Sequence, residues 1–388
     1  MRRSLNLMPI KAGLPIVGYV VLKRDLHCKC KSFSLQLTSP WMVDEYPMPR
    51  LIPALCLLVL VACGDRNGNE TSEIETGQAR VVVYTSRQPY LIEPLFERYT
   101  ARTGVAVDFT SDNEASLIER IAAEGQRTQA DLFMTVDAGN LWHAAERGLL
   151  QPADSEVLAA QIPAALADDR QLWYGLSVRA RTIVYHRDRV DPAELSSYED
   201  LADERWAGRL CLRTSRKVYN QSLVALLIEH HGEEQAEEIV RGWIANLATN
   251  PYSSDTQTIE AVAAGQCDVA IVNSYYLGRK LADDPDYPVE LFWANQDTTG
   301  VHVNISGAGI TRHAPRPDQA RALLEWLASE EAQGEFAERN LEFPANPATE
   351  PRGVVTAWGD YRADETPLTV AGERQAQAVR LMDRAGYR

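Results

Sequence analysis

"ARVVVYTSRQPYLIEPLFERYTARTGVAVDFTS", residues 79–111, decides the fold class. The opening "ARVVVYTS" (79–86) is a β-branched run that ends in a turn, and it reads as a buried strand. In "YLIEPLFERYTARTG" (90–104), Leu91, Leu95, Phe96 and Tyr99 recur at helical spacing and Gly104 stops the helix. "VAVDFTS" (105–111) is a strand again. The alternation then repeats. "EASLIERIAAEG" (114–125) is an amphipathic helix, "ADLFMTV" (130–136) a strand and "AGNLWHAAERGLL" (138–150) a helix. Strands and helices alternating through short connections predict an α/β fold with a mostly parallel sheet. Ligands of such sheets lie beyond the carboxyl ends of the strands, here Tyr84–Gln88, Ser111–Asn113 and Asp137.

A second block follows. "LWYGLSVRARTIVYH" (172–186) is a long strand region, "YEDLADERWAG" (198–208) a helix and "RLCLRTS" (209–215) a strand. "VYNQSLVALLIEHHG" (218–232) starts a helix that "EEQAEEIVRGWIANL" (233–247) continues, and "TQTIEAVAAGQ" (256–266) is a helix. "HVNISGAGITR" (302–312) is another long strand, "PDQARALLEWLASEEAQGEFAER" (317–339) is helical, and "TVAGERQAQAVRLMDRAG" (369–386) closes the chain. The two long strands bracket the middle block. That suits a chain that crosses into a second lobe and returns, with a ligand cleft between the lobes and hinges at the crossovers. The first lobe is expected over 79–178 and 307–388, the second over 179–306.

The bulk numbers agree. A chain of 388 residues is long for one core, and 45% hydrophobic with 24% charged residues is ordinary for a globular protein. The net charge of −15 excludes a phosphate-tracking nucleic-acid surface. It fits general solubility and is compatible with a cationic ligand. "MPRLIPALCLLVLVACGDRNGNE" (48–70) has an apolar stretch from Leu51 to Ala62, too short to span a bilayer and suited to a signal-peptide core. Its "LVAC" ending resembles a bacterial lipobox, which implies a lipidated Cys63 at the mature N-terminus, held outside the cytoplasm by a lipid anchor. Residues 63–78 then form a flexible tether, and 1–47 read as an extension upstream of a true start at Met48. Cys211 and Cys267 remain in the mature part, either as a disulfide or as two buried thiols.

The chemistry concentrates in "DVAIVNSYYLGRK" (268–280). A buried strand, Asp268 to Asn273, ends in Tyr275 and Tyr276, and neighbouring side chains on a strand point to opposite faces. Both phenols reach one target only if the chain leaves the strand there. They are either packing aromatics at a strand end or hard anionic ligands for a hard trivalent cation, since a metal holds a phenol deprotonated far below its usual pKa of ~10. Tyr219, in "RKVYNQS", sits at a loop-to-helix junction and is either a third such group or a helix-start packing residue. Arg179 and Arg181 alternate along "SVRART" and so share one strand face. They are either an anion clamp or ordinary ion pairs. His230 and His231 are adjacent and cannot face one target on a helix. No CxxC, HExxH, G-x-S-x-G or phosphate loop is present.

From Ala79 to Arg388 the chain resembles the bacterial ferric-iron-binding proteins of ABC transporters, in the branch that uses several tyrosines. "VVYTSRQPYLIEPLFERYTARTG", "DLFMTVDAGNLWHAAERGLLQP", "VYNQSLVALLIEHHG", "NSYYLGR" and "AVRLMDRAGYR" carry the resemblance. It implies a two-lobed periplasmic-binding-protein fold of type II, no enzymatic activity, and Fe(III) held by Tyr219, Tyr275 and Tyr276. Some members add a histidine in an "SRH" stretch. Gln88, followed by Pro89, stands there in this chain and is a poor ferric ligand, and nearby Tyr90 either substitutes or caps the helix. Members without that histidine fill the site with a carbonate or bicarbonate anion, whose partner here matches Arg179 or Arg181. The implied partners are ferric iron and an inner-membrane ABC permease, and the protein is expected to be a monomer in the periplasm. The same fold with another ligand, an anion or a polyamine, is the alternative.

Overall fold

The computed structural model describes residues 79–388. The expected extension 1–47, the leader 48–62, lipidated Cys63 and the tether 63–78 lie outside the described residues.

Strand β1 (Arg80–Thr85) is followed by helix α1 (Pro89–Thr103), β2 (Ala106–Ser111), α2 (Glu114–Glu124), β3 (Leu132–Thr135) and α3 (Ala138–Glu146). Local chemistry sets these boundaries. Gly104 closes α1 in the left-handed conformation (φ 74°), where its N–H reaches the Thr100 carbonyl. The Asn113 side chain accepts from the Ser116 N–H to open α2, and Asp137 does the same for Gly139 to open α3. Strand β1 lies parallel to β2 on one side and β3 on the other.

Next come β4 (Leu150–Gln151), α4 (Glu156–Gln161) and the long β5 (Tyr174–His186). The middle block holds β6 (Leu210–Cys211), α5 (Val218–Ala245), α6 (Asp255–Ala263), β7 (Val269–Asn273), α7 (Ser274–Asp283) and β8 (Val289–Phe292). The chain returns on β9 (Val303–Thr311) and ends with α8 (Pro317–Ala328), α9 (Glu330–Asn340), β10 (Phe343–Pro344), α10 (Val370–Glu373) and α11 (Gln375–Arg384).

The strand order is β2-β1-β3-β9-β5-β7-β6. Among the described strands only the β1/β2, β1/β3 and β6/β7 pairs are parallel; β9 runs antiparallel to β3 and to β5, and β5 antiparallel to β7, β8 and β10. The sheet is therefore mixed, not mostly parallel as the local alternation predicts. The cause lies in the crossovers, because the chain leaves on β5 and comes back beside it on β9. The first half of β5, Tyr174–Ala180, pairs with β9, and the second, Arg181–Tyr185, pairs with β7.

Other expectations shift for local reasons. The helix expected over 198–208 is two short 3-10 turns, Asp200–Ala202 and Glu204–Trp206, because the Asp203 side chain captures the Arg205 N–H and restarts the turn. The stretch 317–339 breaks where Ser329 caps α9. The strand expected over 209–215 is regular only at Leu210 and Cys211, with one further isolated bridge from Arg213 to Tyr252, and β8 has no counterpart among the expected elements. Cys211 and Cys267 are joined by a disulfide, with Cα atoms 5.9 Å apart.

The apolar core falls into distinct clusters. One is built from β1, β3 and helices α1–α3, α8 and α9; a second from the outer half of β5, α5 and β7. Helix α11, placed with the first lobe by sequence order, buries Ala378, Leu381 and Met382 in the second cluster instead, where this apolar stripe meets α5. No described helix is long and apolar enough to cross a membrane.

Candidate metal centre

Strand β7 ends at Asn273 and α7 starts at Ser274, so Tyr275 and Tyr276 stand in the first turn of a helix. The chain leaves the strand just where two phenols need to share a target. Their rings lie 4.2 Å apart at 32°. Tyr219 is the second residue of α5, and its hydroxyl is 3.5 Å from that of Tyr275. Both Tyr219 and Tyr275 are buried. Tyr275 inserts into the first core cluster although its helix belongs to the middle block. All three tyrosines line one cavity of about 80 Å³.

Four cationic side chains share that wall: Arg179, Arg213, Lys217 and Arg87. The Arg179, Arg213 and Lys217 head groups lie 5.1, 5.5 and 4.9 Å from the centre of the Tyr219 ring. Arg87 forms a buried 2.9 Å pair with Glu342 on the same wall. Four buried polar atoms of this wall make no hydrogen bond: Arg87 Nε, Arg179 Nη1, Arg213 Nε and Ser306 Oγ. Buried donors are seldom left so, and four on one cavity leave room for an anionic acceptor.

The two expected arginines divide. Arg179 donates through Nη2 to the Val136 carbonyl and lies 3.9 Å from Asp137. Arg181 is buried behind the cavity, bonded to Asn220 (2.6 Å), Asn273 (3.0 Å), the Ile271 carbonyl (3.1 Å) and Asp255 (3.3 Å). Its donors are engaged, and it does not line the tyrosine cavity. Gln88 lines the cavity and makes no side-chain cap to α1. Tyr90 is 61% exposed at the rim, where its hydroxyl accepts from Arg279 at 2.9 Å. Arg87, Arg213, Lys217, Ser306 and Glu342 were not anticipated. Arg87 does lie at the carboxyl end of β1, the position the sheet rule marks, and Arg213 and Lys217 flank Tyr219 in sequence.

Burial raises the pKa of all three phenols. It pushes Tyr276 up to about 12. Tyr275 rises well above its ordinary value through burial and then its Tyr219 and Tyr276 neighbours. Burial raises Tyr219 too, with Arg179 pulling the other way. Burial likewise raises Asp137, to about 6, against the pull of Arg179. Without a metal the phenols are neutral at pH 7. Among the described residues no group of three or more His, Cys, Asp or Glu could hold a metal ion.

Residues 80–339 match the family described as bacterial extracellular solute-binding protein. This chain belongs to that family. Iron uptake protein A2 of Synechocystis is 41% identical over 321 residues, 80% of this chain and 91% of that protein. The Trichodesmium IdiA/FutA structure in complex with iron and citrate is 42% identical, with a TM-score of 0.75 over 80% of this chain and all of that one. The ferric binding protein of Campylobacter jejuni is 31% identical, with a TM-score of 0.76 over 79% of this chain and all of that one. The chain has the type II solute-binding fold expected from its sequence, and it is a solute-binding protein, not an enzyme.

Proposed function

We propose that this chain is the extracytoplasmic receptor of an iron importer. It binds Fe(III) through the phenolates of Tyr219, Tyr275 and Tyr276, with a carbonate-like anion on Arg179, and delivers the metal to an ABC permease. The observation that carries this is the convergence of three phenols from two separate segments, two of them buried, on one cavity that Arg87, Arg179, Arg213 and Lys217 also line. Three phenolates balance the charge of the ferric ion, and the metal supplies the free energy that deprotonates them. The unpartnered Arg179 Nη1 is then free to bind the anion that completes the coordination. Arg181 is left to structure. Gln88 and Tyr90 form part of the cleft wall, and Tyr90 is the further phenol available if its ring turns inward.

The two lobes divide within β5 and β9, at 178/179 and 306/307, with α11 docked on the second. The mature protein is a monomer, lipid-anchored through Cys63 in the periplasm. Relatives named for iron uptake and ferric binding support the choice of metal.

The test is the visible spectrum of the mature protein before and after ferric citrate. A broad phenolate-to-iron band that vanishes in Tyr275→Phe/Tyr276→Phe is the expected result. No band from any iron source refutes the reading and selects an anionic ligand held by the same arginines. Intact mass checks the lipid on Cys63, and iron binding without bicarbonate checks the anion.

A further inference from the structure

Asp137 is fully buried between four parts of the fold. Its Oδ2 accepts from Ser222 of α5 at 2.8 Å and from the Asn304 side chain of β9 at 2.9 Å, while Oδ1 accepts from the Gly139 N–H at 2.9 Å. Asn304 is itself fixed, because its Oδ1 accepts from the Ala138 and Ile305 N–H groups at 2.9 and 2.8 Å. All the close partners of this carboxylate are therefore neutral. Its one cationic neighbour, Arg179 on β5, stands off at 3.9 Å.

The contrast with Arg181, two residues along the same strand, gives the spacing its meaning. Arg181 is gripped by Asp255 and by asparagine and carbonyl oxygens, so its guanidinium is saturated. Arg179, which lines the cavity, has one bond to the Val136 carbonyl and an unpartnered Nη1. A close two-point pair with Asp137 would have engaged both of its nitrogens. A carboxylate held back by three neutral donors attracts the guanidinium without capturing it.

We infer that Asp137 is the positioning residue for the anion end of this site: it holds Arg179 in place over Tyr219 while leaving Nη1 free for a carboxylate- or carbonate-type ligand oxygen. The inference rests on the proposed ferric site. It adds that the anion affinity is set by a residue that touches neither metal nor anion. Because Ser222 and Asn304 lie on α5 and β9, the contact set is complete only when these elements meet the β3–α3 turn.

The test is a bicarbonate titration of the visible band, with iron given as a fresh ferric salt in carbonate-free buffer. Asp137→Asn keeps the shape but removes the charge. It should raise the half-saturating bicarbonate concentration at least about tenfold, as expected for loss of a charge-assisted contact. The band at saturating bicarbonate should match the wild-type band, which a general loosening of the site would not preserve. Unchanged bicarbonate dependence overturns the inference while leaving the tyrosine site intact. If Asp137→Asn does not fold, Ser222→Ala and Asn304→Ser are read instead, since each frees one donor from the carboxylate. Both should raise the half-saturating concentration several-fold, and no change in either overturns the inference. A wild-type protein with no band, or a band indifferent to bicarbonate, removes the site or its anion and the inference with it.

Discussion

Replacing Tyr276 with phenylalanine should change how steeply iron affinity depends on pH. Burial places the Tyr276 pKa at about 12 and raises those of Tyr219 and Tyr275 as well. The apo protein therefore holds all three protons at pH 6 to 8, and the proposed complex holds none. Binding releases three protons, so affinity rises with pH, by about 1.4 kcal/mol per proton and pH unit. Wild-type affinity should gain about 4 kcal/mol per pH unit, and the variant, with two phenols, about 2.7. The assay is competition against one chelator at pH 6, 7 and 8 for both proteins. Taking the ratio of wild-type to variant affinity cancels the chelator's own protonation. That ratio should grow about tenfold per pH unit. A ratio that stays constant from pH 6 to 8 would show that Tyr276 does not enter the complex as a phenolate.

Three further outcomes follow from groups around the site. Asp255→Asn leaves buried Arg181 and partly buried Arg213 without their shared carboxylate, which should cost about 3–5 kcal/mol in urea unfolding; a loss below about 1 kcal/mol contradicts the pairing. Replacing Cys211 and Cys267 together by serine opens a loop whose ends are 56 residues apart, and the chain-entropy relation puts the loss at about 4 kcal/mol; reduction of the wild type should reproduce it. Burial pushes His302 down to about 3 from an ordinary 6.5. The folded state thus favours the neutral ring, and this stability is complete above pH 6.5 and lost as pH falls toward 3. About 2 kcal/mol should disappear between pH 7 and 5, with His302→Gln flattening that limb of the stability curve; an equal slope in both proteins would rule out His302 as its source.

Much of this was legible in one dimension. The β-branched runs and the 3.6-residue spacing of Leu91, Leu95 and Tyr99 locate the first lobe because burial there is local and periodic. The adjacent tyrosines at a strand end were visible as a pair, but packing explains such a pair equally well, and it was the family resemblance that marked them as ligands. Strand direction was not legible. The β5–β9 pair joins segments separated by the whole middle block, and neither stretch records which neighbour it will meet. Arg179 and Arg181 read alike, since both sit on one face of β5. Only Asp255, Asn220 and Asn273, each distant in sequence, separate the saturated guanidinium from the free one. Glu342 lies in a stretch with no periodicity, and its pairing with Arg87 spans 255 positions. Helix α11 shows its apolar stripe plainly, but the stripe does not say which core it will join.

Strand β5 pairs with β9 along its first half and with β7 along its second. One inserted or deleted residue between Tyr174 and His186 would invert side-chain direction on one half relative to the other. Where that change falls between Arg179 and Arg181, the two would no longer share a face, and the cavity would lose either its cation or the network behind it. Side chains in β5 can therefore be exchanged by mutation, but the strand's length cannot drift.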